Sequence, residues 1–185
     1  SYAKNNQRLA YDICPVNYVL NPLARKLGHE FDKGGSLARS GVLMENLLHQ
    51  LDSQEYYIQP PPKSLGAEWV QQIVDPLLAA QETNPSDLLR TLTEHAARQI
   101  AKVLSLAEIE NCLITGGGAY NTFLIKRLKT YSQCDITIPD DTIVDYKEAL
   151  IFAFLGTLNI RGEINVLSSV TGSKQDHASG VVYRL

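Results

Sequence analysis

Leu113-Ile114-Thr115-Gly116-Gly117-Gly118-Ala119-Tyr120-Asn121 is the stretch on which the reading of this chain turns. Residues 110–115 carry the apolar pattern of a buried strand, and three glycines then interrupt it. A helix is expected at 121–131, with Leu124, Ile125 and Leu128 on one face. A strand that runs into glycines and then a helix lets backbone approach a ligand closely and points amide N–H groups at anions. Such a turn, at the carboxyl end of a strand, is a natural phosphate or nucleotide site. The Gly-Lys-Ser/Thr ending of a Walker A loop and the GxGxxG spacing of the dinucleotide fingerprint are both absent. On spacing alone, a tight strand-to-helix turn with no ligand stays equally open.

Around that turn, strands alternate with helices, which argues for an α/β fold. Upstream, Leu88, Leu92, Ala96, Ile100 and Leu104 recur at four-residue intervals and predict an amphipathic helix over 85–104. Asn84 suits its cap, and Pro85 suits its first turn. Helices are also expected at 16–27, at 36–51 with a split near Gly41, and at 68–79. Pro60-Pro61-Pro62 requires an extended loop over 56–66. A strand is expected over 8–13, ended by Pro15. Downstream, the pattern predicts a strand at 134–138, a helix at 145–160 apolar on most sides and hence deeply buried, and a last strand at 181–183.

With 185 residues, 44% hydrophobic and 20% charged, the chain can build one substantial core. A net charge of −3 with no basic run lacks the electrostatic footprint of a nucleic-acid binder. No apolar run is long enough for a membrane span, and the polar start does not read as a signal peptide. The three cysteines, Cys14, Cys112 and Cys134, show no CxxC spacing, so neither a disulfide framework nor a metal site is expected, and a reducing cytoplasm is the simplest location. The sole methionine is Met44, and the chain reads as one part of a longer protein.

Several side chains are candidates for chemistry. Asp12, at the end of an expected strand, has the chemistry of a general base, against the plainer reading of a loop cap. Cys14 reads as a packing residue rather than a nucleophile. Glu148 opens the apolar helix, where a carboxylate is either paired, working, or meeting the helix dipole. Lys63 and Ser64 place a cation and a hydroxyl after the proline run, on what is otherwise a solvated loop. The four histidines lack metal spacing and read as surface or satisfied core residues.

Together these segments resemble the anhydro-N-acetylmuramic acid kinase family. Asp12-Ile13-Cys14-Pro15-Val16-Asn17 resembles its Asp-x-Gly-Pro-Gly-Asn segment, and Asp32-Lys33-Gly34-Gly35 with Ala38 and Gly41 its Asp-x-x-Gly and Ala-x-x-Gly stretch. Pro61-Pro62-Lys63-Ser64-Leu65-Gly66-Ala67-Glu68 is similar to Pro-Pro-Lys-Ser-Thr-Gly-x-Glu. Gly116-Gly117-Gly118-Ala119-Tyr120-Asn121 resembles Gly-Gly-Gly-Ala-Phe-Asn. Glu148-Ala149-Leu150-Ile151-Phe152-Ala153 and Val170-Thr171-Gly172 match two further motifs, in family order.

The resemblance implies one lobe of the actin-like ATPase fold of sugar kinases, a mixed sheet flanked by helices. It implies a kinase that uses ATP, Mg2+ and water to open an anhydro sugar and phosphorylate the freed 6-hydroxyl, in recycling of cell-wall peptidoglycan. By position Asp12 matches the catalytic carboxylate that deprotonates the attacking water, and Glu148 the residue that helps hold water and sugar. Asn17 falls on the substrate side, and Gly116, Gly117, Gly118, Asn121, Lys63 and Ser64 on the nucleotide side. Members of the family often pair, so a homodimer is among the implied assemblies. Cys14, Val16, Asn21 and Leu65 depart from the family pattern. The N-terminal lobe with its Gly-Thr-Ser-x-Asp-Gly phosphate loop is not among these residues, and the chain is expected to be inactive alone. The alternative is a regulatory nucleotide-binding domain of the same fold without turnover, or a plain α/β structural module.

Overall fold

The computed structural model describes residues 1–183. Its first element forms where the chain is polar. Tyr2–Lys4 (β1) and Gln7–Leu9 (β2) pair antiparallel, Tyr2 against Leu9, around Asn5 and Asn6 at φ 51° and 61°. Two successive left-handed residues make a turn whose twist suits a hairpin, and asparagine tolerates that conformation. The strand expected over 8–13 is therefore displaced. Its ladder ends at Leu9, and residues 10–16 run on without sheet pairing.

Asn17–Lys26 (α1), Ser36–Ser40 (α2) and Glu45–Asp52 (α3) come next, with the expected division at Gly41. A Cβ at Gly41 would sit 2.0 Å from the Ser86 carbonyl oxygen, so the division is a close backbone contact. Ala67–Trp69 (α4) passes into Asp75–Ala79 (α5) through a π-helical turn, Val70–Val74. Pro76 has no N–H for the carbonyl one turn back, and the helix widens just ahead of it. Pro85–Leu106 (α6) starts as expected, with Asn84 Oδ1 accepting from the Ser86 N–H at 3.0 Å.

Asn111–Leu113 (β3), Thr122–Tyr131 (α7) and Asp135–Thr137 (β4) form a β-α-β unit with parallel strands, Cys112 opposite Ile136. Asp141–Ile160 (α8) and Ser168–Thr171 (α9) follow. Residues 181–183, expected as a strand, join no ladder, and the tail is tied instead by a bridge from Val166 to His177. The α/β class holds. The expected mixed sheet does not: among the described residues the strands form two separate pairs, β1–β2 antiparallel and β3–β4 parallel. Strands of three residues carry only a short ladder, so helices organise the core.

α6 lies at the centre, against α1, α2, α3 and α7. Near its start Leu88, Leu89 and Leu92 pack with Leu20 and Leu23 of α1 and Leu47 and Leu51 of α3. Towards its end Ala96, Ala97, Ala101 and Leu104 pack with Leu124 and Leu128 of α7 and Ile136 of β4. Each fully buried leucine contributes roughly 1.5–3 kcal/mol through removal of apolar surface from water.

The burial expected for the apolar helix is overturned. α8 begins earlier than the pattern suggested, at an Asp140 cap whose Oδ1 accepts from the Ile143 N–H at 3.2 Å. Only Val144 on it is buried, while Leu150 and Phe152 are 62% and 66% exposed. Composition measures how apolar a helix is. Burial also needs a neighbour, and the described residues supply one mainly at its first turn. Among them, no helix is long and apolar enough to cross a membrane. This bare face predicts that the folded chain binds an apolar dye such as anilinonaphthalene sulfonate. Leu150→Gln with Phe152→Gln should cut dye fluorescence severalfold and move the thermal midpoint by less than about 3 °C, because exposed substitutions change stability little. Undiminished fluorescence would show that the dye sits elsewhere.

Candidate functional site

Asp12 lies in the unladdered segment 10–16, not at a strand end as expected, and its carboxylate is exposed. Two groups from one loop hold it. The Tyr56 hydroxyl donates to the Asp12 carbonyl at 2.5 Å, and the Leu65 N–H donates to Asp12 Oδ2 at 2.8 Å. A cavity of about 200 Å3 opens here, lined by Asp12, Cys14, Pro15, Tyr18, Leu65 and Gly66 among others. Oδ1 accepts no hydrogen bond among the described residues, which leaves one carboxylate oxygen available for a proton. Cys14 abuts the Ala96 carbonyl, and burial, with the charge of Asp52, pushes its thiol up to about 12. It is a protonated packing residue, as the sequence suggested, and no nucleophile.

The glycine turn begins where Ile114 donates to the Thr137 carbonyl at 3.0 Å, extending the contact of β3 with β4. Gly116 turns the chain at φ 76° and donates to the Val144 carbonyl in the first turn of α8 at 3.1 Å. A Cβ at Gly116 or Gly118 would meet nothing within 4 Å, and one at Gly117 would meet only Asn17 Nδ2, at 3.5 Å. The turn itself therefore needs glycine only for the backbone angle of Gly116. Gly117 and Gly118 relieve no crowding within the chain, and their N–H groups pair with nothing among the described residues. Bare backbone of this kind leaves room for a ligand from outside.

Asn121 closes the turn. Its Oδ1 accepts from the Leu124 N–H at 2.9 Å, capping α7, and the residue is buried. Lys63 is turned towards the Asp12 side. Its Nζ donates to the Tyr56 carbonyl at 2.8 Å and lies 4.4 Å from the centre of the Tyr56 ring. Burial, with the charge of Lys102, pulls its pKa down. Ser64 is exposed beside it. The Val170-Thr171-Gly172 motif meets the same loop, since a Cβ at Gly172 would lie 3.3 Å from Pro62 Cγ.

Thus Asp12, Lys63 and the 170–172 motif gather around the proline loop, and Asn17, at the start of α1, has its amide beside Gly117. Glu148 sits one turn after Val144 on α8, exposed and without an ion pair among the described residues. The buried helix that made its carboxylate conspicuous is absent. No cluster of three His, Cys, Asp or Glu side chains suited to a metal ion occurs among the described residues.

Sequence reading passed over the tyrosines that frame Asp12. Tyr56 and Tyr57 looked like loop residues, yet both rings are buried. His95 is a satisfied core histidine, with Nδ1 2.7 Å from Asp52 Oδ1 and Nε2 2.9 Å from the Tyr57 hydroxyl. The adjacent aromatic pair just before the prolines was the available signal.

Burial alone would push the Asp52 carboxyl up. Hydrogen bonds from His95 and Gln99 and the charge of Arg98 more than offset this, so its pKa falls below the ordinary carboxylate value. A lowered folded pKa contributes stability above the unfolded value of about 3.9, lost as pH falls through the folded one. Urea midpoints measured from pH 7 downward should therefore fall less steeply below about pH 4 in Asp52→Asn than in the wild type. Parallel curves would assign the acid sensitivity to other groups.

The family model described as anhydro-N-acetylmuramic acid kinase matches residues 2–185. A protein of that name from Francisella tularensis subsp. novicida is 33% identical over 175 residues, covering 89% of this chain and 46% of the relative. One from Aliivibrio fischeri is 31% identical over 192 residues, covering 97% and 51%, and one from Sulfurovum sp. 34% over 183 residues, covering 95% and 50%. The chain spans about half the length of these curated relatives. With a match along nearly its whole length, the chain belongs to the anhydro-N-acetylmuramic acid kinase family.

Proposed function

We propose that this chain forms the base-bearing, nucleotide-contacting lobe of an actin-like sugar kinase that opens anhydro-N-acetylmuramic acid and phosphorylates it. The observation that carries the proposal is an exposed, pinned carboxylate five residues before Asn17, whose amide lies beside an open glycine turn at Gly117. Asp12 takes a proton from water as its oxygen bonds to the anomeric carbon. The anhydro C–O bond breaks, and the freed 6-oxygen accepts the γ-phosphoryl group of ATP, giving N-acetylmuramic acid 6-phosphate and ADP. Water is a poor nucleophile until a positioned carboxylate removes its proton.

Gly116, Gly117 and Gly118 present backbone to the nucleotide, and the Asn121 cap holds their turn against α7. Asn17 faces the sugar side, and Glu148 lies at the open edge, where it would help hold water once substrate is bound. Lys63 and Ser64 belong to the loop that closes on Asp12. The described residues build no metal cage of their own, so Mg2+ would arrive on the ATP phosphates and offset charge on the transferring group. The product's use is in recycling peptidoglycan within the cytoplasm.

A second reading, nucleotide binding without turnover, draws on the replacement of two family glycines beside Asp12. Cys14 and Val16 are packing residues here, with Val16 against both core clusters. One experiment separates the two readings. In the full-length protein carrying this chain, Asp12→Asn should lower sugar phosphorylation by about 10²–10⁴-fold, the range for a lost general base. Thermal stabilisation by ATP should survive the change. An equally active variant removes Asp12 from the mechanism, and a wild type stabilised by ATP but inert towards the sugar supports the second reading.

A further inference from the structure

A general base works only where its carboxylate is held, and nothing regular holds Asp12. Segment 10–16 belongs to no helix or sheet, so the position of Asp12 depends on the bonds reaching it from elsewhere. Both come from one stretch, the 3-10 turn Glu55–Ile58 and the proline loop that follows it: the Tyr56 hydroxyl donates to the Asp12 backbone carbonyl, and the Leu65 N–H donates to the side chain. Lys63 closes this loop on itself, donating to the Tyr56 carbonyl at 2.8 Å with its ammonium over the same ring. One residue is thus gripped at its backbone and its carboxylate by a single loop.

The grip is anchored from behind. The Tyr56 ring stands edge-on to Tyr57, 5.7 Å between centres, and is tilted against Trp69 at 5.5 Å. Tyr57 is fixed in turn through its hydroxyl to His95 Nε2, and His95 through Nδ1 to Asp52. Asp52 also receives Gln99 Nε2 at 2.9 Å and Arg98 at 3.1 Å. Ionised Asp52 can only accept, so Nδ1 donates to it, while Nε2 bonds the Tyr57 hydroxyl. Burial keeps that hydroxyl protonated by raising its pKa. Such a chain is satisfied throughout, which makes it stiff.

We infer that Tyr56 is the positioning residue of Asp12, held in place by the Asp52–His95–Tyr57 chain. The inference rests on Asp12 being the base, as proposed above, and its test has a readout independent of that. The Leu65 amide proton donates to the Asp12 carboxylate, so its resonance should move as Asp12 titrates and should lose that movement in Asp12→Asn. Tyr56→Phe removes one oxygen and keeps the ring. It should reduce the Leu65 movement by at least half, and in the full-length enzyme lower kcat about tenfold or more with KM for ATP and sugar within about twofold, since small misplacement of a reacting group is costly.

Wild-type kcat together with an undiminished Leu65 response in Tyr56→Phe overturns the inference. If Tyr56→Phe does not fold, Tyr57→Phe carries the test, with the same changes expected at smaller size and a wild-type response overturning it. If the wild type does not phosphorylate the sugar, the reading of Asp12 as base falls, while the Leu65 resonance still decides whether Tyr56 holds the carboxylate.

Discussion

Residues 91–97 of α6 are buried without a break, nearly two full turns of helix with no face towards water. A buried polar group left unpaired costs about 1–3 kcal/mol. Thr93 Oγ1 has no partner among the described residues, while the other polar side chains in that stretch and just beyond it find partners on other elements. Glu94 takes the Arg127 guanidinium of α7 in a two-bonded fork, at 2.8 and 2.6 Å. His95 and Gln99 converge on Asp52 at the end of α3. Thr91 accepts the Met44 N–H just ahead of α3, at 3.1 Å. The leucines of α6 supply most of the apolar burial but pack without strong directional preference. These hydrogen bonds choose where α3 and α7 sit.

The candidate site depends on those two placements. α7 carries Asn121 at its start, and with it the glycine turn; the Glu94–Arg127 fork therefore locates that turn. The end of α3 carries Asp52, whose bond to His95 leads through Tyr57 to the loop that grips Asp12. α1, packed on the same central helix, begins at Asn17, whose amide lies beside Gly117. Both parts of the site are thus referred to one buried helix. In place of two family glycines near Asp12, this chain has Cys14 and Val16 packed into the core. The turn beside the carboxylate is held by apolar contact rather than left free.

Legibility followed the range of the forces involved. α6 was readable because its apolar residues repeat every turn and because Asn84-Pro85 is a local start signal. The glycine turn was readable because an interrupted strand before a helix is a local pattern. The β1–β2 hairpin escaped notice because its turn is made by two asparagines amid polar residues. α8 was read as buried from its composition alone, and it lies bare because its apolar residues find few partners among the described ones. Asp12 and its segment were recognisable by resemblance, but what holds Asp12 was invisible.

By itself the sequence determined the α/β class, the main helices, the Asn84 cap of α6, and the family, because each rests on neighbours within a few positions or on motifs in order. Only the tertiary structure decided which glycines have room beside them, which carboxylate is gripped, and which tyrosines do the gripping. Tyr56 and Leu65 reach Asp12 across 44 and 53 positions of chain. A hydrogen bond over that distance leaves no periodicity in a single sequence. It exists because α6, in satisfying its buried histidine, brings the two segments together.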